Sequence, residues 1–157
     1  MGVGKEEFRT ALSRFASGVT VVTTIDASGI PWGMTVSAFS SVSLEPPLVL
    51  ICIDKHASGH DHLVEDSAFA VNILGEGQEE VSRRFASRDV DRFEGVGYRH
   101  GTTGTPLLEG AMAHIECIVV STHPGGDHTI VVGEVVATGI SEGKPLLYYR
   151  GGYAQLT

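Results

Sequence analysis

Gly33-Met-Thr-Val-Ser-Ala-Phe-Ser-Ser-Val-Ser43 runs straight into Leu44, Glu45 and the pair Pro46-Pro47. Read as a strand, whose successive side chains take opposite faces, its even positions (Met34, Val36, Ala38, Ser40, Val42) are mostly apolar. Its odd positions (Thr35, Ser37, Phe39, Ser41, Ser43) carry hydroxyls and one aromatic ring, so that face is polar without being charged. Solvent-facing strands usually recruit Lys, Glu or Arg. Short hydroxyls at this density suit a ligand that approaches closely and needs several neutral donors and acceptors. The edge of an isoalloxazine, alternating carbonyls with ring nitrogens, is such a ligand. An ordinary edge strand rich in Ser and Thr satisfies the same pattern.

Upstream, residues 19–25 are a β-branched run and Asp26-Ala-Ser-Gly29 is a turn, so the hydroxyl strand starts life in a hairpin. Residues 5–17 are expected to form a helix with Phe8, Leu12, Phe15 and Ala16 along one side and Gly18 capping its end, covering one end of a sheet. Downstream, Pro46 and Pro47 lack the N–H a ladder needs and force a break. Residues 48–53 then read as an apolar strand buried on both faces.

The polar stretch 55–65 holds His56, His60 and His62 around Ser58-Gly59. A metal site is one reading, although positions i and i+4 share a helical face and i+2 does not. A turn offering a hydroxyl and N–H groups to an anion is another, and a plain polar loop a third. Residues 67–74 alternate as a strand, and residues 75–87 read as a helix, acidic at its start (Glu76, Glu79, Glu80) with Arg83, Arg84 and Arg88 at its far end. Those arginines suit the helix dipole as a solvated face, and equally could supply charge to a phosphate. Residues 91–105, with four glycines, form a loop long enough to cover something. Residues 111–122 and 129–140 make a second long hairpin around the turn His123-Pro-Gly-Gly-Asp-His128. Residues 145–149 are a last strand, and the tail is too rich in glycine to continue it.

About seven strands in hairpins, two or three helices and no strand-helix-strand alternation make the chain mainly β: an antiparallel barrel with flanking helices, not a doubly wound sheet. The dinucleotide glycine fingerprint is absent. A length of 157 residues with 42% hydrophobic content is expected to be one domain, 1–157. A net charge of -8 argues against a nucleic-acid or anionic-membrane partner. Cys52 and Cys117 lie in apolar strands as isolated thiols, which favours a reducing compartment. No signal peptide or membrane span is evident, and the expected location is the cytoplasm.

Laid out in this order, the chain resembles the short-chain flavin reductases, the reductase components of two-component flavin-dependent monooxygenases, which are built on the FMN-binding split barrel. The resemblance rests on Phe15-Ala-Ser-Gly-Val-Thr-Val-Val-Thr-Thr24, on Gly33–Ser43 with Pro46-Pro47, on Phe69-Ala-Val-Asn-Ile-Leu74, on Gly126-Asp-His-Thr129 with Gly133-Glu-Val135, and on Pro145-Leu-Leu-Tyr-Tyr-Arg-Gly-Gly-Tyr153. It covers nearly the whole chain.

The resemblance implies that Thr35, Val36, Ser37 and Ala38 contact the isoalloxazine and ribityl chain, with Ser40 and Ser41 toward the phosphate. It implies a flavin-lining role for the segment from Cys52 through Asp54 to His60. Ser58 would bind phosphate, and His60 stands where the family commonly has threonine. Phe85 and Ala86 would close over the flavin. His128 would lie near the nicotinamide, with Tyr148, Tyr149 and Gly152 walling that pocket. The implied activity is NAD(P)H:flavin oxidoreduction, with FMN or FAD as acceptor and NADH or NADPH as hydride donor. No catalytic acid, base or nucleophile is needed, because the cofactors carry the reactivity. The implied partners are a second copy in a homodimer and a separate oxygenase that receives reduced flavin. Two rivals remain at this stage: an electron carrier that keeps FMN, and a split-barrel module for another planar cofactor such as haem.

Overall fold

The computed structural model describes residues 2–157. The chain runs α1 (Lys5–Leu12), β1 (Ser17–Gly18), β2 (Thr20–Ile25), β3 (Pro31–Val36), β4 (Phe39–Ser43), β5 (Leu48–Asp54), β6 (Ala68–Ile73), α2 (Glu79–Phe85), β7 (Tyr98–His100), β8 (Pro106–Leu108), β9 (Ala113–Gly125), β10 (His128–Ile140), β11 (Leu146–Tyr149) and β12 (Gly152–Gln155). The fold is mainly β. Seven strands form one antiparallel sheet in the order β3-β2-β6-β9-β10-β5-β4. A small sheet, β1-β11-β12, and a β7-β8 ribbon flank it.

One connection shapes the molecule. β3 and β4 lie at opposite edges of the seven-stranded order, yet only Ser37 and Ala38 separate them in the chain. Consecutive Cα atoms are 3.80 Å apart, so the facing ends of the two edge strands are within about 11 Å of each other. The sheet therefore curls far enough to bring those two strand ends together.

Inside the curl, Val22, Ile51, Ile53, Phe69, Val71, Cys117, Val119 and Val131 form the main core. Val21 points the other way from Val22 and joins Val19, Leu74, Phe85, Leu108 and Leu146 in a second cluster beneath α2. β2 and β6 are thus covered on both faces, which is why their β-branched runs are buried almost without interruption. Gly133 lets the two layers close: a Cβ there would stand 2.7 Å from Phe69 Cζ, and the ladder shifts register at that point. Buried Asn72 joins three strands, donating to Val21 O at 2.9 Å and Thr23 Oγ1 at 3.1 Å while accepting from Leu108 N at 2.9 Å. Burial pushes the Cys117 thiol up to about 12.

Several expectations need correction. The hydroxyl run is two strands, not one, so its alternating polar face ends at Val36, and Ser40, Ser41 and Val42 are all exposed. β5 is not buried on both faces: Val49, Ile51 and Ile53 face the core while Leu50, Cys52 and Asp54 on the other side stay partly open. The first helix stops at Leu12, residues 17–18 pair with β11 instead, and Phe8, Leu12 and Phe15 are exposed rather than packed on a sheet end. The second helix begins at Glu79, after a turn in which Gly75 N donates to Gln78 Oε1. The long hairpin extends through most of its expected turn, leaving Gly126 and Asp127 between strands, with Gly126 at φ +67°. The tail does continue, as β12 folded back on β11.

Candidate functional site

Where β3 runs out, α2 lies across it. Phe85 packs so closely on the strand that a Cβ at Gly33 would stand 2.6 Å from its ring, and Thr35 Oγ1 donates to Ser82 O at 2.6 Å. That bond uses the only proton of the Thr35 hydroxyl and leaves its lone pairs available. At the same residue of α2, Tyr153 and Ser82 share a hydrogen bond of 2.7 Å between hydroxyls, Tyr148 meets Tyr153 edge to face at 5.4 Å, and the Arg83 guanidinium sits 5.0 Å over the Tyr153 ring. Arg83 also donates to Glu79 at 2.7 Å, a bond that raises its pKa.

Ala86, at the C-terminal end of α2, is the meeting point of three cavities. One of about 520 Å³ is bounded by Met34, Thr35, Asp54, Ser58 and Phe85. A second, about 240 Å³, runs between Thr35, Ser37, Ser82, Tyr148 and Tyr153. The third, about 470 Å³, opens between Arg83, Ser87, Tyr148 and Gly152. Beyond Ser37 and Tyr148 lies an apolar groove of about 670 Å³, walled by Ala38, Ser40, Cys52 and Tyr149 and, across from them, by Phe8, Leu12 and Phe15. The three cavities share Ala86, and the groove shares Ser37 and Tyr148 with the 240 Å³ one, so neutral hydroxyls and aromatic rings line a set of adjoining spaces.

The 55–62 segment forms the floor. Asp54 Oδ1 accepts from His56 N at 2.7 Å, which folds the chain back toward β3. Trp32 Nε1 donates to Ser58 Oγ at 2.9 Å, and the indole lies directly over Gly59, where any Cβ would overlap it. Nearby positive charge is unevenly engaged. Arg92 donates to Gly33 O at 2.8 Å and Ser87 O at 3.0 Å, and burial pushes its guanidinium below the ordinary arginine range. Arg88 is exposed, lines the 520 Å³ cavity, and has no ion-pair partner among the described residues.

Of the residues singled out from sequence, Thr35, Ser37, Ala38, Ser40, Cys52, Asp54, Ser58, Phe85, Ala86, Tyr148, Tyr149 and Gly152 line these joined cavities. Four do not. Val36 is 5% exposed and packs in the main core. Ser41 lies exposed on β4 opposite Val49. His60 stands in a single 3₁₀ turn, with Nε2 2.8 Å from Thr129 Oγ1 and Nδ1 2.9 Å from Asp61 Oδ1, so it clamps the floor segment to β10. His128 pairs at 2.7 Å with Asp127 at the hairpin tip; its backbone lies opposite Asp54, one strand away from the cavity wall. Among the described residues no three His, Cys, Asp or Glu side chains converge as metal ligands, so His56, His60 and His62 do not form a cluster.

Sequence reasoning missed Trp32, Ser82, Arg92 and Tyr153. Trp32 carried a signal, being the chain's single tryptophan and the neighbour of Gly33. Tyr153 was hidden in a tail read as irregular.

Comparison with known proteins adds a consistent set of likenesses. A family described as "Flavin reductase like domain" matches residues 12–157. The reductase subunit HsaB of a flavin-dependent monooxygenase from Rhodococcus jostii (strain RHA1) is 43% identical over 152 residues, covering 96% of this chain and 77% of its own. An NADH-dependent flavin reductase from Rhodococcus sp is 45% identical over 152 residues, covering 94% of this chain and 84% of its own. The solved structure of Streptomyces globisporus C-1027 NADH:FAD oxidoreductase SgcE6 in complex with NAD and FAD fragments has a TM-score of 0.92 and 41% identity, covering 98% of this chain and 93% of that one.

Proposed function

This chain belongs to the flavin reductase-like family, and from that premise we propose how its site works as an NADH-dependent flavin oxidoreductase that supplies reduced FMN or FAD to a partner monooxygenase. The observation that carries the reading is the meeting of three cavities at Ala86, between the hydroxyls of β3 and the tyrosines of β11 and β12. Two flat ring systems need adjoining spaces if they are to stack.

The residues present fit a flavin. Thr35, Ser37 and Ser58 offer neutral hydrogen-bonding groups, Met34, Phe85 and Ala86 offer apolar surface, and Arg88 offers an uncommitted cation for a phosphate. When bound, the flavin supplies the redox chemistry, accepting at N5 the hydride that leaves C4 of the nicotinamide. The protein's work is positional. Thr35, with its proton already held by Ser82 O, presents lone pairs only, so it selects a donor on the ligand. Tyr148, held edge-on by Tyr153, walls the side from which the second ring enters. His60 holds the floor segment that carries Ser58, whereas His128, at the β9-β10 hairpin tip and outside these cavities, would meet the nicotinamide only at their outer end, next to Asp54.

We further read the curled sheet, with its edges joined through Ser37-Ala38, as a split barrel, and residues 1–157 as one domain. The apolar groove flanked by exposed Phe8, Leu12 and Phe15 supports a homodimer in which a second copy covers it. Two free cysteines favour a reducing, cytoplasmic setting.

Ala86→Trp tests the site. Ala86 is exposed and helical in backbone, so a large side chain is tolerated there by the fold while it fills the junction of the cavities. Displacing stacked rings by an ångström or more is expected to lower NADH oxidation by at least ~100-fold with the thermal midpoint retained. Wild-type turnover in this variant would remove the assignment.

A further inference from the structure

Trp32 divides two cavities. On one side is the 520 Å³ space with Thr35 and Phe85; on the other is a separate cavity of about 380 Å³ between Pro31, Trp32 and the loop carrying Asp89, Val90 and Phe93. Both spaces share Trp32, Ser58, Arg88 and Arg92. The polar groups at the partition are therefore common property: Ser58, with its hydroxyl proton free while its oxygen accepts from Trp32, and the unpaired Arg88 guanidinium.

The second cavity is preformed. Arg84 donates to Arg92 O at 3.0 Å and Asp91 O at 2.7 Å, and Arg92 donates back to Gly33 O and Ser87 O, so the loop is tied to both α2 and β3. Phe93 is locked edge to face against Phe85 at 5.0 Å. A held loop that brings the rings of Trp32 and Phe93 and the side chain of Val90 together with two exposed carboxylates, Asp89 and Asp91, in a largely polar cavity has the chemistry of a nucleoside site: ring surface for a base beside acceptors for ribose hydroxyls. The carboxylates would repel a phosphate placed among them. The diphosphate therefore belongs at Arg88 and Ser58, with one nucleotide half on each side of Trp32.

We infer that this site is built for a dinucleotide flavin, FAD in preference to FMN, with the adenosine half seated between Trp32 and Val90. The inference rests on the flavin reductase reading above. FMN would use only the cavity on the Thr35 side and the shared cation, leaving the 380 Å³ space unused.

The test is a pair of titrations, FMN and FAD, without NADH, following emission of the chain's single tryptophan, Trp32. FAD is expected to bind about tenfold or more tightly than FMN, a difference of roughly 1.4 kcal/mol. Val90→Glu is expected to pull that ratio toward one, whereas Arg88→Gln weakens both flavins together because both place a phosphate there. Equal affinities, tighter FMN, or a Val90→Glu effect that falls on both flavins alike would overturn the inference while leaving the reductase reading standing. A Val90→Glu variant that keeps the FAD preference but raises the KM for NADH with FMN as acceptor would assign the cavity to the donor's adenosine instead, and also overturn it. Binding of neither flavin would remove the reductase reading and the inference with it.

Discussion

At Gly59 there is no room for a side chain, because the Trp32 indole already occupies the position a Cβ would take. The contact sets where the indole N–H points, and that N–H holds Ser58, 26 residues away, at 2.9 Å. Gly59→Ala must push the ring aside. Overpacking of this kind costs about 1–3 kcal/mol, to be read from denaturant midpoints, and the freed indole should show red-shifted emission together with weaker flavin binding. Unchanged emission would mean that the ring has another resting place and that the partition is not fixed. None of this was legible in the sequence. Gly59 reads there as turn punctuation, and only the approach of β3 gives it a steric role. Thr35 and Ser37 drew notice as alternating hydroxyls, a pattern that an ordinary edge strand satisfies equally, and their site roles came from the family resemblance; that Ser37 lies in the link after β3 left no mark in the pattern.

At the scale of elements, the loop after β7 is pinned by one carboxylate. Glu116, on β9 and 5% exposed, accepts from Thr103 N at 2.8 Å and Thr103 Oγ1 at 2.7 Å and fills the space above Gly101. Burial pushes the Glu116 carboxyl up, but the bonds from Thr103 and Thr102, with Arg99 nearby, more than reverse this and leave it below the ordinary glutamate value of 4.5. A lowered folded-state value means that the carboxylate stabilises the fold above the unfolded-state value and loses that contribution as pH falls through the folded one. Glu116→Gln should therefore cost about 1–3 kcal/mol near neutrality, with the gap to wild type shrinking below about pH 4.5. A gap independent of pH would show that the loop is held by shape, not by charge. The hairpins of β2-β3 and β9-β10 were readable beforehand, since β-branched runs and turn residues act locally. α1 was overextended and β12 was missed for one reason: residues 17–18 and 152–155 are strands only because β11 is there to pair with them. Such pairing leaves no local mark.

Across the whole molecule, the two-residue Ser37-Ala38 link is the feature from which the site follows. It draws the ends of the two edge strands together, brings β3 beneath α2, and sets the hydroxyls of one edge across from Tyr148 and Tyr153. In the function proposed above, this is the slot in which the donor and acceptor rings stack, and sharing it is what separates a reductase from a protein that only stores flavin. The most direct measurement is anaerobic: mix the protein with FAD or FMN and NADH and follow the flavin's visible absorbance. The account predicts bleaching that keeps pace with loss of NADH and saturates in both ligands, and far slower bleaching in the Ala86→Trp variant. A protein that binds flavin and leaves it yellow in the presence of excess NADH would contradict it.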